Sequence, residues 1–257
     1  MDLGIAGRSA VVLGATSGLG SAVAEGLVAE GARVLVVGRD ALKVERRVES
    51  LPTAVGCVAD LTDPDAPEAI RSAAEAAFGH VDILVLNSGG PKPGTAAATV
   101  PDDVDTAIAL LVRPHVSLVN ALLPGMIERG WGRIIAVGSS GVQQPLPNLT
   151  ASNVGRAALA GYLKTLASEV ADAGVTVNMV LPGRIDTDRV TQLDQGAAER
   201  TGKTLEEARA ASEATIPVGR YGRPEEFAAA AVFLAGQPAG YITGEQLRCD
   251  GGMLRAH

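Results

Sequence analysis

One stretch near the amino end limits the folds open to this chain more than any other. The apolar run 10–13 leads into Gly14, Gly18 and Gly20, in the order VVLGATSGLG. Beyond it Val23, Leu27 and Val28 recur at helical spacing and share a face. Strand, glycine turn and helix is the arrangement that brings bare backbone N–H groups and a helix N-terminus against a phosphate. Glycine suits it because a Cβ would hold the backbone away from a pyrophosphate and from the next strand. The spacing is G-x-x-x-G-x-G rather than the commoner G-x-G-x-x-G. Taken alone, the turn also fits a tight strand-to-helix connection with no ligand.

The rest of the chain repeats this alternation. Short apolar runs near 9–13, 33–38, 54–58, 82–86, 132–137, 175–180 and 246–249 predict strands. Helical patterns fill 18–30, 40–50, 65–78, 102–129, 151–173, 204–214 and 224–235. Strands alternating with helices imply βαβ units with right-handed crossovers. The expected fold is therefore α/β: a doubly wound Rossmann fold with a seven-stranded parallel sheet and helices on both faces. A length of 257 residues with no linker or repeat suits one domain over 1–257. The polar stretch 184–222 reads as a substrate loop or lid.

Charge and composition narrow the partners. The net charge is −7 with no basic run, which argues against nucleic acid and anionic membranes. No apolar run approaches the roughly 20 residues that span a bilayer. The start MDLGIAGRSA lacks the apolar core of a signal peptide. Cys57 and Cys249 show neither metal nor redox spacing and read as buried thiols in a reducing compartment. The expectation is a soluble cytoplasmic protein. Asp186 and Asp188 have no His or Cys nearby, so no metal site is expected.

In a doubly wound sheet, ligands bind beyond the carboxyl ends of the strands, so those positions matter most. After the second strand stands Gly38-Arg39-Asp40. A glycine where an acid would hold a ribose 2′-hydroxyl, followed by Arg39, favours a 2′-phosphate and hence NADP(H) over NAD(H); a solvated arginine at a helix start is the alternative. Asp60-Leu61 follows the third strand, with a helix cap as the competing reading. Asn87-Ser88-Gly89-Gly90-Pro91 follows the fourth, Gly138-Ser139-Ser140-Gly141 the fifth, and Pro182-Gly183-Arg184-Ile185-Asp186-Thr187 the sixth.

With these residues in view, the chain resembles the short-chain dehydrogenase/reductase family along nearly its whole length, and most of all its bacterial 3-oxoacyl-carrier-protein reductase-like members. The resemblance rests on Gly14, Gly18 and Gly20, on Asp60, on Asn87-Ser88-Gly89 in place of Asn-Ala-Gly, on Gly138-Ser139, on Pro182-Gly183 with Thr187, and on Asp250-Gly251-Gly252. It implies a nicotinamide cofactor held by Gly14, Thr16, Ser17, Gly18, Leu19, Gly20, Arg39, Asp60, Leu61, Asn87, Ser88, Gly89, Arg156, Pro182, Gly183, Ile185 and Thr187. It also implies a homodimer or homotetramer, with the segment from Tyr241 to Gly252 packing against a partner chain. The family turn opens with Thr-Gly, where this chain has Leu13-Gly14.

The resemblance breaks at the catalytic group, which in the family is an Asn, a Ser and a Tyr-x-x-x-Lys pair. Ser139 takes the Ser place. The register set by Ala157-Ala158-Leu159 then puts Ser152 and Arg156 at the Tyr and Lys places, and matching the long helix back from Leu123-Pro124-x-Met126 puts Leu111 at the Asn place. Tyr162 lies nearly three helical turns beyond Ser152 and cannot substitute in place. The candidate catalytic residues are therefore Ser139, Ser152 and Arg156. An alkyl hydroxyl is a far poorer acid than a phenol, and Arg156 is effectively never deprotonated. Arg156 can still bind ribose hydroxyls or grip a carboxylate or phosphate.

Three readings stay open. Hydride transfer persists on a small-molecule substrate, with Ser139 and Ser152 bonding the oxyanion and the proton drawn from elsewhere; His115, one turn beyond Leu111, is a candidate donor set against a plain helix histidine beside Pro114. Alternatively the chain does redox-neutral chemistry on an anionic substrate held by Arg156 and Arg184. Or it binds nucleotide without catalysis. Gln143 and Gln144 are weaker candidates for lining the substrate pocket.

Overall fold

The computed structural model describes residues 1–255. Its seven strands are β1 (Ser9–Val12), β2 (Arg33–Gly38), β3 (Ala54–Val58), β4 (Ile83–Leu86), β5 (Gly132–Val137), β6 (Val175–Pro182) and β7 (Gln246–Cys249). All pair in parallel, in the order β3-β2-β1-β4-β5-β6-β7. The chain winds outward from β1 to β3, then crosses to β4 and winds the other way. The switch point thus lies between β1 and β4, where the glycine turn and Asn87 emerge side by side.

Alternation along each strand sends side chains into two separate apolar layers. Val11 and Leu13, with Leu84 and Leu86, enter one layer; Ala10 and Val12, with Ile83 and Val85, enter the other. The first layer is completed by α3 (Ala66–Phe78), α5 (Arg113–Glu128) and α6 (Thr150–Val170), through Ile70, Leu118 and Leu159. The second is completed by α1 (Gly18–Ala29) and α9 (Pro224–Ala235), through Val23, Leu27, Phe227 and Val232. The remaining helices are α2 (Ala41–Glu49), α4 (Pro101–Leu111), α7 (Asp188–Thr201) and α8 (Leu205–Glu213).

Four expectations need correction. The helix anticipated over 102–129 is two helices joined at Val112, whose φ of −122° and ψ of −60° are not helical. Pro114 then sits in the first turn of α5, where its missing N–H costs nothing. Together 101–128 holds an 18-residue window of mean hydropathy 1.5, apolar and long enough by composition to cross a membrane, contrary to the expectation from apolar runs. Its apolar residues Leu111, Leu118, Val119, Leu122 and Met126 are all buried, as in the core helices of a sheet protein. The stretch 184–222 is also more regular than anticipated. Besides α8 it contains α7, whose buried stripe is Val190, Asp194 and Ala198, too polar to show as apolar periodicity. Finally, both thiols are free and raised in pKa by burial, but Cys249 is only half-buried.

Candidate active site

The turn after β1 is built so that backbone replaces side chain. Gly14 and Gly18 have φ of +56°, a left-handed region that favours glycine. At Gly20 a Cβ would stand 2.4 Å from Gly14 O and 2.7 Å from Asn87 Nδ2, so the helix start lies directly on the turn. Asn87 braces it from the next strand: its Nδ2 donates to Leu13 O at 3.2 Å and to Gly14 O at 3.4 Å. The residues preceding α1 and α7, Ser17 and Thr187, are types that commonly cap helices, yet neither side chain does so here. Thr187 Oγ1 donates instead to Ile185 O, 3.2 Å away. A Cβ on Gly18 would lie 3.7 Å from Thr187 Cγ2, so the two uncapped helix starts face one gap. Free N–H groups from two helices converging there make a setting for an anionic group.

Beyond this gap, Gly38 ends β2 against Thr16, whose Cγ2 would be 2.6 Å from any Cβ added there. Arg39 follows, exposed and unpaired among the described residues. Asp60 accepts from Thr62 N at 2.9 Å and Thr62 Oγ1 at 2.8 Å. Those two bonds, and then the Arg39 charge, hold its carboxyl below the usual range. It closes a turn and is not the cap of α3, whose N-cap residue is Asp65. Leu61 packs on the core and Leu19 on the opposite layer. Gly183 is forced small by β7, since its Cβ would meet Asp250 Cα at 2.7 Å. Ile185 is buried and bridges to Gly222. Gly89 opens onto free space, while the buried Ser88 hydroxyl has no protein partner.

Ser139, Ser152 and Arg156 lie at the end of β5 and the start of α6. Ser139 Oγ accepts from Gly141 N at 3.0 Å, which leaves its O–H free to donate. Ser152 is half-buried in the first turn of α6, with no protein partner for its hydroxyl among the described residues. Arg156 Nη1 donates to Val137 O at 2.7 Å. Burial, and secondarily the charge of Arg189, lowers its pKa to about 10. Leu111 packs where α4 meets α6, its Cδ1 2.8 Å from where a Cβ on Gly155 would be.

His115 is in the wall, not the cleft. It is 1% exposed, with Nδ1 2.8 Å from Leu111 O and Nε2 unpartnered. Burial foremost, with the Arg156 charge, lowers its pKa to about 4, so it is neutral at pH 7. Tyr162 packs against the core and is raised in pKa by burial. Asn153 is a latch: its amide bonds both Leu146 O and Leu146 N, at 2.9 and 3.2 Å.

Two weaker candidates have partners within the protein. Arg184 pairs with the buried Asp194 at 3.6 Å, and Asp194 also accepts from Tyr221 OH at 2.8 Å, so Arg184 joins the segment after β6 to α7, although its Nη1 makes no hydrogen bond. Gln143 bonds Gln246 and Arg248 of β7 rather than an open pocket. Asp186 is held bidentately by Arg209. Among the described residues no group of three or more His, Cys, Asp or Glu could hold a metal ion. One neighbour of the cleft was missed from sequence: Arg189 on α7, whose Nη2 donates across to Pro91 O at 3.1 Å. Its only signal is its place two residues after Thr187.

A glycine turn at a sheet's switch point, with polar side chains on the adjoining strand ends, defines a nucleotide-binding α/β protein. Comparison with known proteins narrows this. A family model described as Enoyl-(Acyl carrier protein) reductase matches residues 14–254. The chain belongs to the short-chain dehydrogenase/reductase family. It is 36% identical over 250 residues to the 3-oxoacyl-[acyl-carrier-protein] reductase FabG of Salmonella typhimurium, covering 96% of this chain and 97% of that one. The L-sorbose reductase of Gluconobacter frateurii, solved with NADPH and L-sorbose, superposes with a TM-score of 0.94 at 33% identity over 100% of both chains. A single-residue variant of the actinorhodin polyketide ketoreductase, solved with NADPH, gives 0.93 at 30% identity, covering 97% of this chain and 98% of that one.

Proposed function

We propose that this chain is an NADP(H)-dependent oxidoreductase that reduces the carbonyl group of a small, anionic substrate with a non-standard set of catalytic side chains. The observation that carries the cofactor is the turn at Gly14, Gly18 and Gly20, its left-handed Gly14 and Gly18 lying beside the uncapped starts of α1 and α7. Thr16, Ser17, Leu19 and Thr187 would flank a diphosphate there. Arg39 would take the 2′-phosphate, Asp60 and Leu61 the adenosine side, and Asn87, Ser88, Gly89, Arg156, Pro182, Gly183 and Ile185 the nicotinamide half. The NADPH named in the structures of two similar reductases supports the same choice.

NADPH, when bound, supplies a hydride. The chain's own residues must then handle an oxyanion. Ser139 and Ser152 donate hydrogen bonds to it, and Arg156 contributes positive charge. Neither hydroxyl gives up a proton readily, and Arg156 keeps its own. His115 is neutral, buried and tied to Leu111 O, so it is not the donor. Water supplies the proton, and forgoing a positioned acid costs about 10²–10⁴-fold in rate. That cost is the specific observation behind a second reading, nucleotide binding without catalysis or with redox-neutral chemistry. Family resemblance further supports a cytoplasmic homodimer or homotetramer.

The test is NADPH oxidation across ketones, quinones and 3-oxoacyl compounds, with Ser139→Ala in parallel. Turnover that falls in the variant is expected. NADPH binding with no turnover above background across the panel would favour the second reading.

A further inference from the structure

Arg189 stands in the first turn of α7, where the positive end of the helix disfavours a cation. It is held there by its bond to Pro91 O, 3.1 Å, beyond the end of β4. Gly90 makes room for it: a Cβ there would come within 3.2 Å of Arg189 Nη2. Arg156 hangs in the same way from Val137 O, the last carbonyl of β5. The two strands are neighbours, Leu86 pairing with Ala136, so the guanidinium groups are anchored beyond the ends of adjacent strands, one from α6 and the other from α7. After burial, the charge of Arg189 further lowers the pKa of Arg156.

Among the described residues, neither arginine has a carboxylate within ion-pair distance. Of the acids on the same loop and helix, Asp186 is engaged by Arg209 and Asp194 by Arg184 and Tyr221, while Asp188 is exposed and makes no ion pair with either arginine among the described residues. Each guanidinium has five N–H donors and spends only one direct bond on protein. Two adjacent half-buried cations with spare donors and no counter-charge are unfavourable until an anion joins them.

We propose that Arg156 and Arg189 clasp the carboxylate of the substrate from two sides, so that the site selects small oxo-carboxylates, with Arg189 as the specificity-determining residue. That the carboxylate belongs to a carbonyl compound rests on the reductase reading above. The Arg189–Pro91 bond holds the lid side of the clasp in place before the anion arrives.

Malonate is the probe. NADPH-loaded protein is titrated with sodium malonate at ionic strength held constant with chloride, following thermal stability and proteolysis within 188–213. Saturable protection is expected. Arg189→Met should raise the half-saturating concentration at least about tenfold, the equivalent of one lost charge-assisted bond, and Arg189→Lys by less. NADPH affinity should be unchanged in both variants, with circular dichroism confirming their fold. The proposal is overturned by an absence of saturation, by equal saturation in Arg189→Met and the parent, or by a loss of NADPH affinity, which would assign Arg189 to the nucleotide. If the parent binds no NADPH, the reductase reading fails by itself. The malonate comparison in nucleotide-free protein then still decides the clasp.

Discussion

His115 should make the fold sensitive to acid within a definite window. Its imidazole titrates near 4 in the folded chain against an ordinary value of 6.5, because burial disfavours the charged form. Between those two values the unfolded chain binds a proton that the folded chain refuses. Stability is therefore lost as pH falls from 6.5 toward 4 and is flat above that window. The full effect is about 3 kcal/mol, at 1.36 kcal/mol per tenfold change in proton affinity, and about 2 kcal/mol of it should be gone at pH 5. Other groups titrate in the same range, so the comparison must be a difference. His115→Gln retains an amide donor toward Leu111 O and does not titrate. Urea unfolding of both proteins at pH 7 and pH 5, at one protein concentration, gives the quantity sought. The parent should lose about 2 kcal/mol more than the variant. Parallel losses would refute the claim that a buried, neutral histidine underlies the effect. Turnover of His115→Gln at pH 7 should stay within about twofold of the parent, since a proton donor would instead be worth about 10²-fold or more.

Three further outcomes follow from the geometry. Gly20→Ala places a methyl 2.4 Å from Gly14 O, so it should weaken NADPH binding by fluorescence titration and lower stability by about 1–3 kcal/mol. Arg39→Ala should cut the preference for NADPH over NADH by about tenfold or more, measured as a ratio of dissociation constants; equal preference in both proteins would remove Arg39 from the 2′-phosphate. Tyr221→Phe deprives the buried Asp194 of a bond of 2.8 Å and should cost about 1–3 kcal/mol, with faster proteolysis of the lid between 188 and 213.

The sheet and its switch point were legible because a parallel strand buried on both faces writes an uninterrupted apolar run, and the glycine turn writes its own geometry. All seven strand runs correspond to observed strands. Helix α7 was illegible because its buried face carries Asp194, which is satisfied only by partners distant in sequence, Arg184 and Tyr221. The break at Val112 was hidden inside an apolar pattern that continues in phase on both sides. Arg184 and Arg189 look alike in sequence, five residues apart. Only the fold separates them, sending one to a buried acid and the other across the cleft to Pro91. The places of Ser139, Ser152 and Arg156 could be read from spacing. Their loose ends, a free O–H and unspent guanidinium donors, could not.

The brace from Asn87 to the carbonyls of Leu13 and Gly14 gives the two halves of the site different evolutionary freedom. The nucleotide shelf is mostly main chain, pinned by one amide, and holds its shape whatever side chains stand on the facing helix. The proposed catalytic side chains, Ser139 after β5 and Ser152 and Arg156 on α6, make no hydrogen bond to that turn. Side chains on α6 can therefore change while the main-chain turn keeps its shape. Scaffolds divided in this way are apt starting points for installing new reactions on an inherited cofactor.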